Sequence, residues 1–370
     1  FNINYLINAN LLFKITQSMK FIYLFIILLV LSNQSKALKL TKFNTNLSYP
    51  WGMTWVSSDQ LLITQKKSYE ILLIDTLKNT SIKIDHDIPV DGREQGGLLD
   101  IISEGNNIWI TCSIKKDYGY TTAVFRAKLE NNKLVDSQLI FEALPYITNG
   151  RHFGSRMIIK DEYLYVSIGE RGKGMIAQDP SNAIGSIIRI NKDGSIPKDN
   201  PYVQNPKWLS SIYQIGVRNP QGMDLDPLTN KVFISNHGPK GGDEINIIEK
   251  GKNYGWPVIT YGINYSGTSI TDKREMPGME QPLYYWVPSI APCGMAFSTS
   301  GVYKKWKGDL FVGSMKFNYL ERLVVKKRKV IKREKILEDV GGKLRNIKEG
   351  PDGYLYVSVD GKGIFKLIKN

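Results

Sequence analysis

The stretch "SRMIIKDEYLYVS", residues 155–167, contains the pattern that decides the fold. A short apolar strand leads into a polar turn, and a second strand follows that reads apolar, apolar or aromatic, Val or Ile, small. This second strand recurs six times, as "LLIT" (61–64), "IWIT" (108–111), "LYVS" (164–167), "VFIS" (232–235), "LFVG" (310–313) and "LYVS" (355–358). Short strands separated by turn signals predict an antiparallel all-β protein.

Each copy of this strand belongs to a larger repeating unit. A turn and another short apolar strand precede it, and most copies are followed by a third strand such as "SIIRINK" or "EINIIEK". Six such units at variable spacing predict radial repetition, and therefore a six-bladed β-propeller. Residues 38–44, "LKLTKFN", alternate with period two, and we expect them to close the ring as the outer strand of the last blade. A large β-sandwich is the alternative.

The composition is that of a globular protein with an excess of positive charge. Of 370 residues, 42% are hydrophobic and 23% charged, and 49 Lys and Arg against 35 Asp and Glu give a net charge of +14. The densest basic run, residues 326–335, has no aromatic side chains on which bases could stack. We therefore predict a solvated strand edge there and no nucleic-acid partner. Cys112 and Cys293 allow at most one disulfide.

The N-terminal region has the features of a targeting segment. Met19 and Lys20 precede an apolar run of 11 residues, and a small residue, Ala37, follows. This predicts a signal peptide over residues 19–37, because 11 apolar residues are too few for a membrane span of about 20. An uncleaved anchor is the alternative. We expect residues 1–18 to be upstream or non-native sequence and residues 38–370 to be one catalytic propeller domain, periplasmic or secreted and without a stable membrane span.

The propeller interpretation predicts where a site would lie. The first strand of each unit lines the channel and the second runs antiparallel to it, so residues before first strands and after second strands share one mouth. These positions carry two histidines, several cations and several amides: Gln95, His152, Glu170, Arg218, Asn219, Gln221, His237, Gly238, Pro239, Ser289, Pro292, Lys316, Lys343 and Arg345. Arg and Lys pair with carboxylates or phosphates, and a histidine beside such a ligand suits general-base catalysis. The sequence predicts a site for a small polyanion.

Asp243 and Glu244 lie in a glycine-rich segment, residues 236–257. Carboxylate and backbone carbonyl oxygens suit Ca²⁺, and glycines let carbonyls turn towards an ion. A charged turn that leads into the strand "EINII" explains the same residues. The residues alone leave both interpretations open.

Several long motifs carry a family resemblance. The motifs "HFGSRM", "GVRNPQGM", "HGPKGGDEINIIEKGKNYGWP" and "YYWVPSIAPCGMAF" resemble the soluble quinoprotein sugar dehydrogenases, above all the bacterial aldose sugar dehydrogenases that use pyrroloquinoline quinone (PQQ). The resemblance runs from about residue 49 to the C-terminus. It implies a six-bladed propeller that oxidises aldose sugars at C1 to lactones.

The resemblance also implies roles for individual residues. His152 stands at the position of the catalytic base and Arg218 at that of an arginine on the quinone oxygens. Other positions match contacts to the cofactor and its carboxylates: Gln95, Asn219, Lys316, Lys343 and Arg345. The carbonyls of Gly238 and Pro239 match ligands of a Ca²⁺ that polarises the quinone. Glu244 and the Tyr254 carbonyl match a second, structural Ca²⁺ site.

Three residues depart from the family pattern. Lys343 stands where relatives usually have Arg, Glu170 where some have Asp, and Asn236 where close relatives tend to have Glu. Lys343 keeps the positive charge of an arginine but cannot form its bidentate hydrogen bonds. Glu170 bears on how His152 is supported, and Asn236 means that one acidic group near the quinone-side calcium is absent.

The implied partners are an aldose and an electron acceptor, either a small cytochrome or a quinone. The residues also allow two alternative functions. One is a Ca²⁺-dependent, lactonase-like hydrolase, and the other is a non-catalytic propeller that has lost its cofactor and binds a partner.

Overall fold

A computed structural model describes residues 38–44, 47–117 and 119–369. The predicted upstream segment and signal peptide, residues 1–37, lie outside the described residues. Two compact units are distinguished. The larger, Leu40–Leu367, contains nearly all of the described residues, and the smaller contributes only residues 38, 39, 368 and 369 to the described part.

The described strands form six four-stranded sheets, here called blades 1 to 6. From the innermost strand outwards, blade 1 consists of β2 (Pro50–Trp55), β3 (Gln60–Gln65), β4 (Glu70–Asp75) and β5 (Thr80–Ile84), and blade 2 of β6 (Leu98–Glu104), β7 (Asn107–Lys116), β8 (Gly119–Glu130) and β9 (Lys133–Glu142). Blade 3 consists of β10 (Gly154–Lys160), β11 (Tyr163–Ile168), β12 (Ser186–Asn191) and β13 (Ile212–Ile215), and blade 4 of β14 (Pro220–Leu225), β15 (Val232–Asn236), β16 (Asp243–Ile247) and β17 (Tyr284–Trp286). Blade 5 consists of β18 (Pro292–Phe297), β19 (Leu310–Ser314), β20 (Leu320–Lys326) and β21 (Lys329–Leu337), and blade 6 of β22 (Leu344–Glu349), β23 (Leu355–Val359), β24 (Gly363–Lys369) and β1 (Leu38–Asn44). One 3₁₀ helix, Gly174–Gln178, follows β11.

The innermost strands form a closed ring. Each contacts the innermost strand of the next blade, and β22 contacts β2. β1 lies beside β24 as the outermost strand of blade 6. The six-bladed propeller and the ring-closing role of residues 38–44 are therefore confirmed, and the sandwich alternative is wrong.

The hydrophobic cores lie between neighbouring blades. One cluster joins Leu62 and Ile71 of blade 1 to Ile101 and Ile110 of blade 2, and another joins Phe233 of blade 4 to side chains of blade 5. The alternating apolar residues of each strand thus pack on the adjacent sheet, as in a face-to-face sandwich.

Every inner strand carries a β-bulge near the end that faces the predicted mouth. The register shifts fall at residues 50/53, 98/101, 154/157, 220/222, 292/295 and 344/346. A bulge bends its strand and re-aims a side chain. One residue from each bulge belongs to a set that we call the bulge ring: Trp51, Asp100, Arg156, Gln221, Cys293 and Arg345.

Arg156 joins the bulge ring at its centre. Its guanidinium donates to the other five members: the carbonyls of Gln221 (2.8 Å), Trp51 (3.4 Å) and Arg345 (2.5 Å), the Asp100 carboxylate (3.2 Å) and the Cys293 sulfur (3.8 Å). Asp100 also accepts the Met157 N–H at 3.0 Å. One buried side chain of blade 3 is thus bonded to all five other blades.

Three smaller features complete the fold. β21 is the outer strand of blade 5 and most of its side chains are exposed, which confirms the solvated strand edge predicted for the basic run. Cys112 and Cys293 are buried free thiols. Within the described ranges, no helix is both long enough and apolar enough to cross a membrane.

Candidate functional site

A cavity of about 360 Å³ opens at the mouth of the channel, and the bulge ring contributes to its lining. We call it the mouth cavity. Seven of the predicted site residues line it: Gln95, His152, Arg218, Asn219, Gln221, His237 and Arg345. They come from five segments of the chain, which lie at or before the starts of inner strands or, for His237, directly after a second strand.

His152 forms a hydrogen-bonded pair with Glu170. His152 lies just before β10 and Glu170 just after β11, so the antiparallel pairing of these strands brings the two side chains together. Nδ1 of His152 contacts Oε1 of Glu170, and Oε2 of Glu170 accepts the Gly174 N–H at 2.5 Å. His152 adopts φ 50°, and its N–H donates to Gln95 Oε1 at 2.9 Å. The imidazole is therefore held from both its backbone and its ring.

The surroundings of this pair keep the imidazole neutral and the carboxyl ionised. Burial lowers the pKa of His152, and the positive charges of Arg218 and Arg151 add to this effect, while Glu170 opposes it. Burial alone would raise the pKa of Glu170, but its bonds to His152 and Gly174 and the charge of Arg218 outweigh burial and lower it. An ionised carboxylate can only accept, so Nδ1 carries the proton and Nε2 the lone pair.

Arg218 is anchored at the wall of the mouth cavity. Its Nη1 donates to the carbonyls of His237 (3.1 Å) and Gly238 (2.8 Å), and its guanidinium lies 5.3 Å from the ring centre of Trp256. Burial lowers its pKa, but an arginine keeps its charge near neutral pH. Arg218 is thus a fixed positive charge beside His152.

The side chains of Asn219 and His237 form hydrogen bonds to other groups of the protein. Asn219 Oδ1 accepts the Gly154 N–H and the Gln221 amide, both at 3.1 Å. His237 Nε2 lies 2.8 Å from the Pro292 carbonyl and donates to it, since a carbonyl only accepts. Burial, with the charge of Arg218, lowers the pKa of His237 to about 3. The second predicted histidine is therefore neutral, and its Nε2 proton is already committed.

The three predicted carboxylate-binding cations differ in position. Arg345 lines the mouth cavity and pairs with Asp360 through Nε and Nη2, at 2.7 and 2.5 Å. Lys316 and Lys343 have exposed side chains, and neither is among the residues that line the cavity. The structure brings Arg345 together with His152 and Arg218 but not these two lysines.

Asp243 orders the loop that carries Gly238 and Pro239. Its carboxylate accepts the N–H groups of Gly238 (2.8 Å), Ile290 (2.6 Å) and Ala291 (2.7 Å). The Gly238 carbonyl accepts from Arg218, and the Pro239 carbonyl accepts from Ser289 Oγ at 2.9 Å. A carbonyl oxygen has two lone pairs, so each retains one for a further partner.

Glu244 lies on β16 beside amide side chains. Asn246 Nδ2 approaches its carboxylate at 3.0 Å and Asn236 Nδ2 at 3.5 Å, and burial raises its pKa to about 7. The Tyr254 N–H donates to the Ile215 carbonyl. No group of three or more His, Cys, Asp or Glu side chains placed to hold a metal occurs among the described residues. The predicted calcium ligands are mostly carbonyls, which fall outside that pattern.

The sequence interpretation missed several residues of the mouth cavity. Lys66 follows β3 and Asp360 follows β23, in the same place as Glu170 after β11. The rule that located Glu170 therefore extends to both. Tyr265, 75% exposed, also lines the cavity, and it belongs to the long connection between β16 and β17. Nothing in the spacing of that connection marks the segment that returns to the mouth.

Fold and site together define a six-bladed propeller with a cationic cavity and a histidine–carboxylate pair at one mouth. Residues 47–368 match the family model of glucose/sorbosone dehydrogenases. The chain is 36% identical over 325 residues to an aldose sugar dehydrogenase of Escherichia coli, a match that covers 85% of this chain and 88% of that protein. The chain therefore belongs to the glucose/sorbosone dehydrogenase family.

A solved structure and a second curated relative agree with this membership. The crystal structure of the soluble aldose sugar dehydrogenase of Escherichia coli, in its apo form, superposes with a TM-score of 0.86 at 34% identity and covers 90% of this chain and 100% of that one. Quinoprotein glucose dehydrogenase B of Acinetobacter calcoaceticus is 28% identical over 258 residues, 58% of this chain and 51% of that protein. The resemblance inferred from the motifs is confirmed at the level of the family.

Proposed function

We propose that this protein is a PQQ-dependent dehydrogenase that oxidises aldose sugars at C1 to lactones. The observation that carries the proposal is the His152–Glu170 pair, whose imidazole lines the same cavity as the fixed charges of Arg218 and Arg345. Membership of the family and similarity to a relative named a quinoprotein support the cofactor. Family membership also favours this function over the lactonase-like and non-catalytic alternatives.

The residues present fit a polycarboxylate quinone. A volume of about 360 Å³ falls within the range of about 300–1,000 Å³ typical of small-molecule sites. Arg218 and Arg345 supply positive charge at the cavity wall, and Gln95 and Asn219 supply amides. Lys316 and Lys343 are proposed to reach the carboxylates from the rim.

The proposed calcium ligands have suitable donor chemistry. The carbonyls of Gly238 and Pro239 are hard oxygen donors in a loop fixed by Asp243, and each retains a lone pair. Glu244 is a carboxylate in surroundings that raise its pKa, so a nearby cation would favour its charged form. We assign Glu244 and the Tyr254 carbonyl to a second, structural ion.

His152 acts as the general base. Glu170 fixes the tautomer in which Nε2 carries the lone pair, and Nε2 takes the proton of the C1 hydroxyl as the C1–H bond breaks. PQQ, when bound, supplies the acceptor of the hydride from C1, and the calcium ion supplies a Lewis acid. Arg218 holds positive charge where negative charge develops. Glu170 stabilises the imidazolium until the proton leaves.

Reconstitution tests the proposal. Purified protein is mixed with PQQ and Ca²⁺ and then given an aldose and an artificial electron acceptor. We expect dye reduction and a change in the cofactor spectrum. If neither occurs across a panel of aldoses, the dehydrogenase function is wrong. The proposed physiological acceptor is a small cytochrome or a quinone, and the proposed location is the periplasm or the exterior.

The pH dependence of kcat/KM reports on His152. Its pKa is lowered from the usual value of 6.5, so the imidazole stays neutral and competent as the pH falls to that value. Activity is expected to be lost only as the pH falls through the lowered pKa. Glu170→Gln removes the group that raises this pKa, so the acid limb should move to still lower pH while the maximal rate drops. A limb above 6.5, or one that Glu170→Gln moves upwards, contradicts the assignment.

Calcium stoichiometry tests the second ion site. Protein stripped of divalent ions is titrated with Ca²⁺ in the presence of PQQ and followed by calorimetry. We expect two sites in the wild type and one in Glu244→Gln, because the neutral amide lacks the charge that a carboxylate brings to Ca²⁺. The matched control Glu162→Gln changes a carboxylate that is 85% exposed and should retain both sites. Two sites in Glu244→Gln would remove Glu244 from this role.

A further inference from the structure

Lys66 is a buried lysine at the mouth cavity. It directly follows β3, and its backbone is fixed on both sides: its N–H donates to the Tyr49 carbonyl at 3.0 Å, and its carbonyl accepts the Leu98 N–H at 3.2 Å. The residue is 7% exposed, yet it lines the cavity. The side chain therefore has a defined position and cannot simply extend into solvent.

The ammonium group of Lys66 has no anionic partner of its own. It makes no hydrogen bond or ion pair with any residue in the described part of the chain, and Nζ lies 4.2 Å from the ring centre of Trp51. The guanidinium of Arg345 lies 5.0 Å from the same ring. Asp360 is near, but its Oδ2 is paired with Arg345, and its Oδ1 accepts no hydrogen bond from Lys66. A buried charge without a partner is costly, so a site of this kind suits an anionic ligand.

We propose that Lys66 is a cofactor-binding residue whose ammonium receives a carboxylate of the ligand in the mouth cavity, beside Arg345. Because the ligand is the polycarboxylate cofactor of the proposed function, this role rests on that function. Lys66 and Arg345 provide two cations on the blade 1 and blade 6 side, and Arg218 provides one on the blade 4 side. Lys316 and Lys343 are exposed and do not line the cavity, so Lys66 is the one of these three lysines that can contact the ligand within it.

This role couples binding to proton uptake. Burial, together with the charges of Arg345 and Lys67, lowers the pKa of Lys66 to about 7, while Cys293 and Asp360 oppose the shift. The other titratable or charged groups around the cavity are Tyr49, Glu94, His152, Arg156, Glu170, Arg218, His237 and Tyr265. A bound carboxylate favours the charged amine, so its pKa rises on binding. Affinity should then fall as the pH rises above about 7, by up to about tenfold per pH unit.

Direct binding of PQQ, without sugar, tests the role. Quenching of tryptophan fluorescence gives the affinity in the presence of Ca²⁺ from about pH 6 to about pH 9. Lys66→Met should bind about 10- to 100-fold more weakly at pH 6, because it loses one charge-assisted contact, and its fall in affinity above pH 7 should be smaller than in the wild type. Lys66→Arg should bind well at both ends of the range, because arginine does not titrate there.

The control is Lys78→Met, a lysine of the same blade that is 77% exposed, and it should match the wild type. Thermal unfolding checks each variant, and Lys66→Met should be at least as stable as the wild type because it removes a buried charge. If Lys66→Met does not fold, Lys66→Arg provides the test instead, because its affinity for PQQ should not fall above pH 7 as that of the wild type does. Wild-type affinity and pH dependence in Lys66→Met would overturn the proposal.

A second probe separates this proposal from the proposed function. Pyridine tricarboxylate carries carboxylates but no quinone, and its binding is measured by calorimetry. If it binds the wild type and binds Lys66→Met at least about tenfold more weakly, the anion site stands even if PQQ gives no turnover. If PQQ turns over sugar but both ligands bind Lys66→Met as tightly as the wild type, the function stands and the role of Lys66 falls. If the wild type binds neither ligand, the role is overturned.

Discussion

Replacing His152 with alanine is expected to lower turnover with an aldose by at least about 10²-fold and to leave the affinity for PQQ close to that of the wild type. Alanine removes the lone pair that takes the C1 hydroxyl proton, whereas Arg218 and Arg345, which are proposed to hold the cofactor, remain. Steady-state dye reduction measures the rate, and fluorescence quenching measures the affinity.

The matched control is His86→Ala. His86 belongs to the blade 1 region, where Nε2 bonds the Tyr69 carbonyl at 2.7 Å, and it does not line the mouth cavity. Its loss should leave turnover unchanged. Near-normal turnover in His152→Ala would remove His152 from catalysis. Equal losses of affinity and turnover would instead make it a binding residue.

Replacing Arg156 with methionine is expected to lower the free energy of unfolding by about 3–5 kcal/mol. The change removes one guanidinium that bonds five blades and leaves the Asp100 carboxylate buried without its charged partner. Three carbonyls of the bulge ring also lose a donor. Urea unfolding followed by tryptophan fluorescence measures the loss.

Two further variants separate charge from packing in the bulge ring. Adding Asp100→Asn to Arg156→Met removes the stranded charge, so the double variant should recover part of the lost stability, and the two effects should not add. Arg328→Met breaks an exposed ion pair with Glu249 and should cost less than about 1 kcal/mol. A loss in Arg156→Met as small as in Arg328→Met would show that the central guanidinium does not hold the blades together.

The architecture was predictable because each blade repeats a local pattern. Alternating apolar residues and polar turns determine a short strand without reference to distant residues, and six repeats of one unit imply a ring. The role of residues 38–44 followed from the same alternation. The place of residues 329–335 in the edge strand β21 followed from the charge of the basic run, because a lysine-rich strand cannot be covered on both sides.

The bulge ring was not predictable in this way. Arg156 lies in "SRMII", where an arginine within a strand pattern says nothing about which face it takes. A bulge changes the direction of a side chain through backbone geometry, and its partners come from five segments distant in sequence. Only the assembled ring shows that one guanidinium satisfies all of them.

The candidate site was predictable in part. The positional rule and the family motifs placed His152, Glu170 and Arg218 at one mouth, and the structure brings them together. The rule says which end of a strand a residue occupies but not whether its side chain is buried. It therefore did not distinguish half-buried Arg345 from exposed Lys316 and Lys343. Lys66 satisfies the rule, since it directly follows β3, but it was not selected. Tyr265 reaches the cavity through a connection without periodicity, which no local pattern describes.

The pairing of β1 with β24 has a consequence for biosynthesis. A ribosome makes β1 before any blade and makes β24 after all the others, so blade 6 stays incomplete until the last strand emerges. During that time β1 is an unpaired strand edge, open to other nascent chains and to chaperones. Premature termination between residues 338 and 362 would make this exposure permanent. Such a fragment should be degraded or aggregate even though five of its blades are whole.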